Sequence, residues 1–346
     1  MGTLRFYLAM GVAFSHSLVL TSDTLLLNGF VAVTIFFIIS GFTISYILRK
    51  KYSDRKLLFL KNRFLRVFVP FVLVATGIEV SYFLFSNSTK IQLILDSNFS
   101  PFQTVLALFS NIFLFGANWV AIVGADLQEG LVIPQSWSLP LELSFYLIVP
   151  FIINSKLKKI VLFSLSLFFY IFLINMNKIN LLNFLFLSNL PFFMLGVFSC
   201  DIMLKLKLVD KLNKIQSLKN YNKMIYLFII FFLILLNYIA VKTNISDGLS
   251  DKFNLIFLNL VISCILPLIF CITINLNLQF RALDNLLGKL SYHIYLIHVF
   301  MYLTLLELKI ILINPAFTYI LFLIIFSYFS FKLANPIEQK LRYYFK

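Results

Sequence analysis

The sequence predicts an all-α protein: a polytopic membrane bundle of ten transmembrane helices with both termini on the cytoplasmic side. Three observations carry this. Hydrophobic residues make up 61% of the 346 and charged residues 12%, with a mean hydropathy of +0.95, against roughly 45–50% and about 25% in soluble domains. Apolar runs of about 17–25 residues, the length that crosses a bilayer, recur from one end to the other. The 29 Lys and Arg, against 14 Asp and Glu, lie between these runs and do not gather on one soluble face. That is how cytoplasmic loops meet anionic lipid, and it speaks against a nucleic-acid partner. The short alternating segments of a transmembrane β-barrel are missing.

Ten runs qualify, near residues 5–20, 30–48, 67–86, 138–153, 160–174, 183–204, 224–241, 253–275, 291–308 and 317–335. An eleventh apolar stretch, 102–124, is decided by the positive-inside rule. If it does not cross, 24 of the 29 basic side chains are inside and 5 outside; if it does, 13 are inside and 16 outside. The stretch is therefore expected to be an extracytoplasmic re-entrant or surface element. Its Asn111 and the run from Gly116 to Trp119 suit backbone covered by protein or water. The first run follows Arg5 like a signal peptide, but no small-residue cleavage site follows and the second run begins almost at once, so it reads as a retained helix. Cys200, Cys264 and Cys271, odd in number and all in apolar runs, imply no disulfide framework. No repeat, long linker or soluble segment interrupts the pattern, so residues 1–346 are expected to form a single transmembrane domain. Leu57, Leu60, Phe64 and Val67 share one helical stripe, an interfacial entry into the third run.

Charged groups within spans cost a few kcal/mol each by insertion scales and need a reason. In RFYLAMGVAFSH (5–16), Arg5 and His16 fall within about 20° of one helical face, a cation at the cytoplasmic edge and an imidazole near mid-membrane; the structural alternative is a snorkelling anchor plus a packing histidine. In KNRFLRVFVP (61–70), Arg63 and Arg66 are i, i+3 neighbours at the mouth of the third span. Paired guanidiniums suit bidentate binding of phosphate, although a plain juxtamembrane basic cluster, which Lys50, Lys51 and Lys61 fit, accounts for them too. In PQSWSLPLELSFYLIVP (134–150), Glu142 is embedded in apolar sequence with Trp137 and Ser138 before it and Tyr146 one turn on. Such a carboxylate can exchange protons or orient an imidazole, or simply lock two helices together. Glu79 is a candidate counter-ion for a buried arginine. In GKLSYHIYLIHVFMY (288–302), Ser291, Tyr295, His298 and Tyr302 form one polar stripe, as catalytic support or as interhelical glue, while His293 points elsewhere. Ser40–Gly41 is a small pair that permits close helix approach.

These stretches, in this order, resemble the acyltransferase-3 family of integral-membrane acyltransferases. LRFYLAMGVAFSH is similar to the family's first helix, and GFVAVTIFFIISGF to its second-helix pattern. RFLRVFVP matches R-x-x-R-x-x-P, WSLPLELSFYLIVP matches W-S-L-x-x-E-x-x-F-Y-x-x-x-P, and LGKLSYHIYLIHV matches L-G-x-x-S-Y-x-x-Y-L-x-H. The departures are Ala32 and Thr34, where glycine and aspartate are common, and Ala334–Asn335, where a glutamate and a basic residue commonly precede the proline.

The resemblance implies a ten-helix bacterial inner-membrane enzyme; the soluble domain fused to some members is not expected here. It implies transfer of an acyl group, acetyl by default, from acetyl-CoA as co-substrate to a hydroxyl of a surface polysaccharide such as O-antigen or capsule, or of its lipid-linked precursor, with no metal. Arg5, Arg63 and Arg66 are the expected binders of the acyl-CoA phosphates. His16 is the expected general base or transient acyl carrier, and Glu142 the group that orients or protonates it. Ser40, Trp137, Ser138, Tyr146, Ser291, Tyr295 and His298 are expected to support them. Two other classes compete. A transporter or flippase also buries Arg, His and Glu along its pathway but is expected to show inverted repeats, and none is visible. A non-catalytic component of a polysaccharide-assembly machine does not require these residues to converge.

Overall fold

The computed structural model describes residues 1–17, 29–86, 89–95, 97–124, 127–128, 130–208, 210, 252–274, 278–310 and 314–344, and among these every regular element is a helix. In chain order they are α1 (Gly2–Ser15), α2 (Gly29–Lys51), α3 (Lys56–Ser86), α4 (Lys90–Leu95), α5 (Pro101–Phe113) and α6 (Ala117–Val123). A 3-10 turn (Pro134–Trp137) follows, then α7 (Ser138–Ile152), α8 (Lys156–Asn175), α9 (Ile179–Phe184), α10 (Phe186–Lys205), α11 (Lys252–Ile274), α12 (Leu278–Glu307) and α13 (Pro315–Tyr344).

Among the described residues, six helices are long and apolar enough to cross a membrane: Gly29–Lys51, Lys56–Phe85, Lys156–Asn175, Phe186–Lys205, Arg281–Glu307 and Pro315–Tyr344. The expected crossing at 253–275 falls on α11, and those at 5–20 and 138–153 fall on α1 and α7. The last two helices have only 14 and 15 residues, about 21–23 Å at ~1.5 Å per residue. The expected crossing at 224–241 lies outside the described residues.

α1 stops at Ser15, short of the expected residue 20, and the local sequence explains why. Ser15 Oγ donates to the Val12 carbonyl, and both the backbone N–H and the hydroxyl of Ser17 donate to the Phe14 carbonyl. A Ser–His–Ser run offers the backbone local hydrogen bonds that compete with another helical turn. His16 consequently sits at the C-terminal end of α1, exposed, and not within it.

Residues 102–124 do not form one helix. α5 opens on a capping box of Ser100 and Gln103, then ends where Leu114 takes φ 66° and Gly116 φ 103°, a reversal that the missing Cβ of glycine accommodates. Phe102, Val105, Phe109, Ile112 and Phe113 are exposed along one face of α5, while Ala107, Ser110 and Asn111 are buried. Beneath them Ile94, Ala107, Ala117, Val120, Leu127 and Leu131 make a small apolar core. Asn111 ties α5 to the following loop: its Oδ1 accepts from the Val132 N–H at 2.7 Å and its Nδ2 donates to the Gly130 carbonyl at 3.2 Å. Asn111→Leu strands both backbone groups. Each costs about 1–3 kcal/mol when left buried and unpaired, so the thermal midpoint of the purified protein in detergent is expected to drop clearly. An unchanged midpoint refutes the tie.

The chain divides into two compact units, Met1–Arg49 with Pro191–Tyr292, and Lys50–Leu190 with His293–Lys346. In the first, α2 is buried along most of its length. Gly41 of α2 lies against the Phe193 backbone of α10, and Gly196 of α10 against the Ile38 and Phe42 backbone of α2. Thr34 and Asn259 exchange a side-chain hydrogen bond at 3.1 Å, and Ser199 Oγ donates to the Ser263 carbonyl at 2.6 Å. Phe42 meets Phe270 edge-on at 5.1 Å, and Arg49 pairs with Asp201. Asp284 of α12 accepts the backbone N–H groups of Gly2 and Thr3 at 3.0 and 2.9 Å, a carboxylate set against the positive end of α1.

In the second unit α3 packs along α13 and touches α4 and α7, while α6 sits against α5, α7, α9 and the 3-10 turn. Arg342 of α13 pairs with Glu338 and donates to the Asn62 carbonyl of α3 at 3.1 Å. Of the expected entry stripe, Leu57 and Phe64 are exposed and Val67 is buried.

Candidate functional site

The sequence-expected site residues fall into both units. Arg5, His16, Ser40 and Ser291 belong to the first, and Arg63, Arg66, Trp137, Ser138, Glu142, Tyr146, Tyr295 and His298 to the second.

In the first unit Arg5, half-buried, donates from its guanidinium to the Thr43 hydroxyl of α2 at 3.0 Å. Thr43 in turn donates to the Ile39 carbonyl at 2.8 Å, so Arg5 is held on α2 by a hydroxyl that is itself oriented. Ser40 is buried. Thr34, at the position where the resemblance expects an acid, bonds to Asn259 and also donates to the Val31 carbonyl at 2.9 Å. Ser291 donates to the Gly288 carbonyl of its own helix at 3.0 Å.

In the second unit the cations, two aromatic rings and the carboxylate form a connected series. The Arg63 guanidinium lies 5.8 Å from the Phe59 ring centre. Phe59 is fully buried and meets Tyr146 edge-on at 6.3 Å, and the Tyr146 hydroxyl donates to the Glu142 carboxylate one turn back on α7. Arg63 and Arg66, both half-buried, are within electrostatic reach of that same tyrosine. The i, i+4 spacing on α7 makes the Tyr–Glu pair, and the packing of α3 on α7 brings the two arginines alongside. A site so built can hold an anion at its basic end and keep a carboxylate oriented by a phenol.

The start of α7 is fixed from the other direction. The Tyr295 hydroxyl donates to the Gln135 carbonyl and lies 2.8 Å from Ser138 Oγ, while Gln135 Nε2 donates to the carbonyls of Tyr295 and Leu296 at 3.2 and 2.9 Å. Trp137 stands edge-on to Phe184 at 4.9 Å. His298, fully buried, has Nδ1 at 2.9 Å from the Tyr295 carbonyl; a carbonyl only accepts, so Nδ1 carries the proton. The Tyr319 hydroxyl donates to the His298 carbonyl at 3.1 Å, and the rings of Tyr302 and Tyr319 meet edge-on. His293 turns away, to Ser330 of α13 at 2.9 Å.

Glu79, expected as a counter-ion to an arginine, instead accepts the Lys90 backbone N–H at 3.0 Å. Two residues with structural weight escape a reading by motif. Asp284 looks like one more loop acid, and Gln135 is a single amide between a proline and a serine. An uncharged hydrogen-bonding side chain at the mouth of an apolar span is the signal that could have drawn attention to Gln135. Among the described residues no group of three His, Cys, Asp or Glu is placed to hold a metal ion.

A family model described as an acyltransferase domain matches residues 2–332. No curated protein and no solved structure matches the chain.

Proposed function

This chain belongs to the acyltransferase-3 family, and from that premise we propose that it moves an acyl group, acetyl by default, from cytoplasmic acyl-CoA to a hydroxyl of a bacterial surface polysaccharide or its lipid-linked precursor. Residues 1–346 act as one transmembrane domain of the inner membrane, crossing ten times with 102–124 on the extracytoplasmic side. An epitope in the 154–159 loop is then reached only after the membrane is permeabilised; labelling from outside in intact cells refutes this topology.

One observation carries the functional reading: the series from Arg63 through Phe59 and Tyr146 to Glu142. A coenzyme A ester is polyanionic and cytoplasmic, and the guanidiniums in the first three turns of α3 are the right partners for its phosphates. Arg63 and Arg66 hold them, with Arg5 contributing from α1. His16 takes the proton from the acceptor hydroxyl as its oxygen attacks the thioester carbonyl. The carbon–sulfur bond then breaks, and the thiolate leaves with a proton returned from the imidazolium. Glu142, oriented by Tyr146, supplies the negative charge that favours that imidazolium.

The test is acetyl-CoA turnover by the purified protein, with mass spectrometry of the surface polysaccharide from cells with and without the gene. Arg66→Ala is expected to raise the KM for acetyl-CoA ten- to hundredfold, since a charge-assisted hydrogen bond contributes roughly 1.5–3 kcal/mol and about 1.4 kcal/mol is tenfold. Arg66→Lys recovers only part of this, because an ammonium cannot make the two-pronged contact. Unaltered kinetics in Arg66→Ala remove it from the donor site.

A further inference from the structure

Within the second unit a small cavity lies between α3, the residues leading into the 3-10 turn, and α12. Ile78, Tyr82, Lys90, Gln135, Val299 and Leu303 are among the residues that line it, and the centre of a water-sized group has about 20 Å³ to move in. That is room for one water-sized or hydroxyl-sized group, not for a sugar ring.

Gln135 is what makes the cavity more than a packing gap. The residue is 4% exposed, and its amide nitrogen is committed to the carbonyls of Tyr295 and Leu296. Two acceptors on that side fix the orientation of the amide, because the oxygen cannot donate to either. The oxygen, Oε1, is buried and has no hydrogen-bond partner. A buried amide oxygen left unpaired costs about 1–3 kcal/mol, so such atoms persist where a ligand or an ordered water supplies the donor. Lys90 and Tyr82 line the same cavity, with the Lys90 ammonium 5.2 Å from the Tyr82 ring centre. An amide oxygen that needs a donor, with a lysine and a tyrosine on otherwise apolar walls, suits a group that is donor and acceptor at once. A hydroxyl is both; a carboxylate or phosphate offers the amide oxygen nothing.

We propose that this cavity is a hydroxyl subsite for the acceptor polysaccharide, in which Gln135 Oε1 accepts a hydrogen bond from one acceptor hydroxyl other than the one acylated. The assignment rests on the acyltransferase reading above. In the ten-crossing topology Lys90 and residues 132–135 lie on the extracytoplasmic side, opposite the donor's arginines, where a surface glycan would arrive. Gln135 then selects among acceptors by hydrogen bonding and takes no part in the acyl step.

Steady-state acetyl transfer distinguishes this from a structural amide. The enzyme is the full chain in detergent, and the acceptor probe is surface polysaccharide isolated from cells lacking the gene. Gln135→Leu removes the acceptor atom but also the anchor to α12, so Val299→Phe, which fills the cavity and leaves every Gln135 bond in place, is assayed beside it. Both are expected to raise the KM for polysaccharide about tenfold or more while the KM for acetyl-CoA stays within twofold. Wild-type turnover with an unaltered polysaccharide KM in Val299→Phe overturns the subsite and leaves a water-filled gap. A wild-type protein that transfers no acetyl group to this polysaccharide overturns the acyltransferase reading and the subsite with it.

Discussion

His16→Ala is expected to lower the rate of acyl transfer about a thousandfold, in the middle of the 10²- to 10⁴-fold range that a positioned general base supplies. The substitution should leave the local backbone in place. His16 lies past the last residue of α1, exposed, in a turn where Ser15 bonds to Val12 and Ser17 to Phe14. Alanine there leaves those bonds intact, so the amount of protein in the membrane and its elution in detergent should match wild type. The KM for acetyl-CoA should barely move, since the proposed mechanism gives the phosphates to the arginines and not to the imidazole. Added imidazole should restore part of the lost rate, which it cannot do if His16 is only a packing residue. A variant that keeps more than half of wild-type turnover removes His16 from the mechanism.

Gly41→Val is expected to destroy the fold of the first unit, where His16→Ala spares it. A Cβ added at Gly41 falls well inside van der Waals contact of the Phe193 carbonyl oxygen and 2.9 Å from its carbon. One added at Gly196 meets the Ile38 carbonyl in the same way and lies 2.6 Å from the Phe42 nitrogen. The obstruction on each side is backbone, so no rotamer change relieves it and α2 and α10 must move apart. The stack of Phe37 on Phe193, with ring centres 4.5 Å apart, and the Ser199–Ser263 bond depend on elements in this same packing. Overpacking a tight core costs about 1–3 kcal/mol and more where the backbone must shift. We expect Gly41→Val to fall out of the monodisperse peak in fluorescence-detected size-exclusion chromatography. Gly77→Ala is the matched control: a Cβ at Gly77 meets nothing within 4 Å, and alanine gains roughly 0.8–1 kcal/mol of helix propensity over glycine. Equal behaviour of the two variants refutes the close approach of α2 and α10.

The two outcomes rest on different kinds of information. The pairing of Glu142 with Tyr146 is legible in the sequence, because residues four apart on a helix meet whatever the rest of the fold does. So is the separation of residues 102–124 from the long spans, since the charges around the stretch and Gly116 inside it are local features. The exact end of α1 is not legible from hydropathy, which runs on past Ser15; hydrogen bonds of the Ser–His–Ser turn decide it. Gly41 can be recognised as a small residue, but Gly196 as its counterpart cannot.

The sequence by itself determined that this is a helical membrane protein of the acyltransferase-3 family, and which polar side chains stand within its apolar runs. Hydropathy, helical period and motif spacing are all properties of neighbours along the chain. Only the tertiary structure decided that Asp284 caps α1, that Phe59 joins Arg63 to Tyr146, that Glu79 serves the Lys90 backbone, and that Gln135 is held by α12 with its oxygen unpaired. Apart from Phe59 and Arg63, one turn apart on α3, those partners lie from 11 to 282 positions apart, and helices of similar apolarity can pack in many orders. Steric fit and the need to pair buried polar groups choose among them.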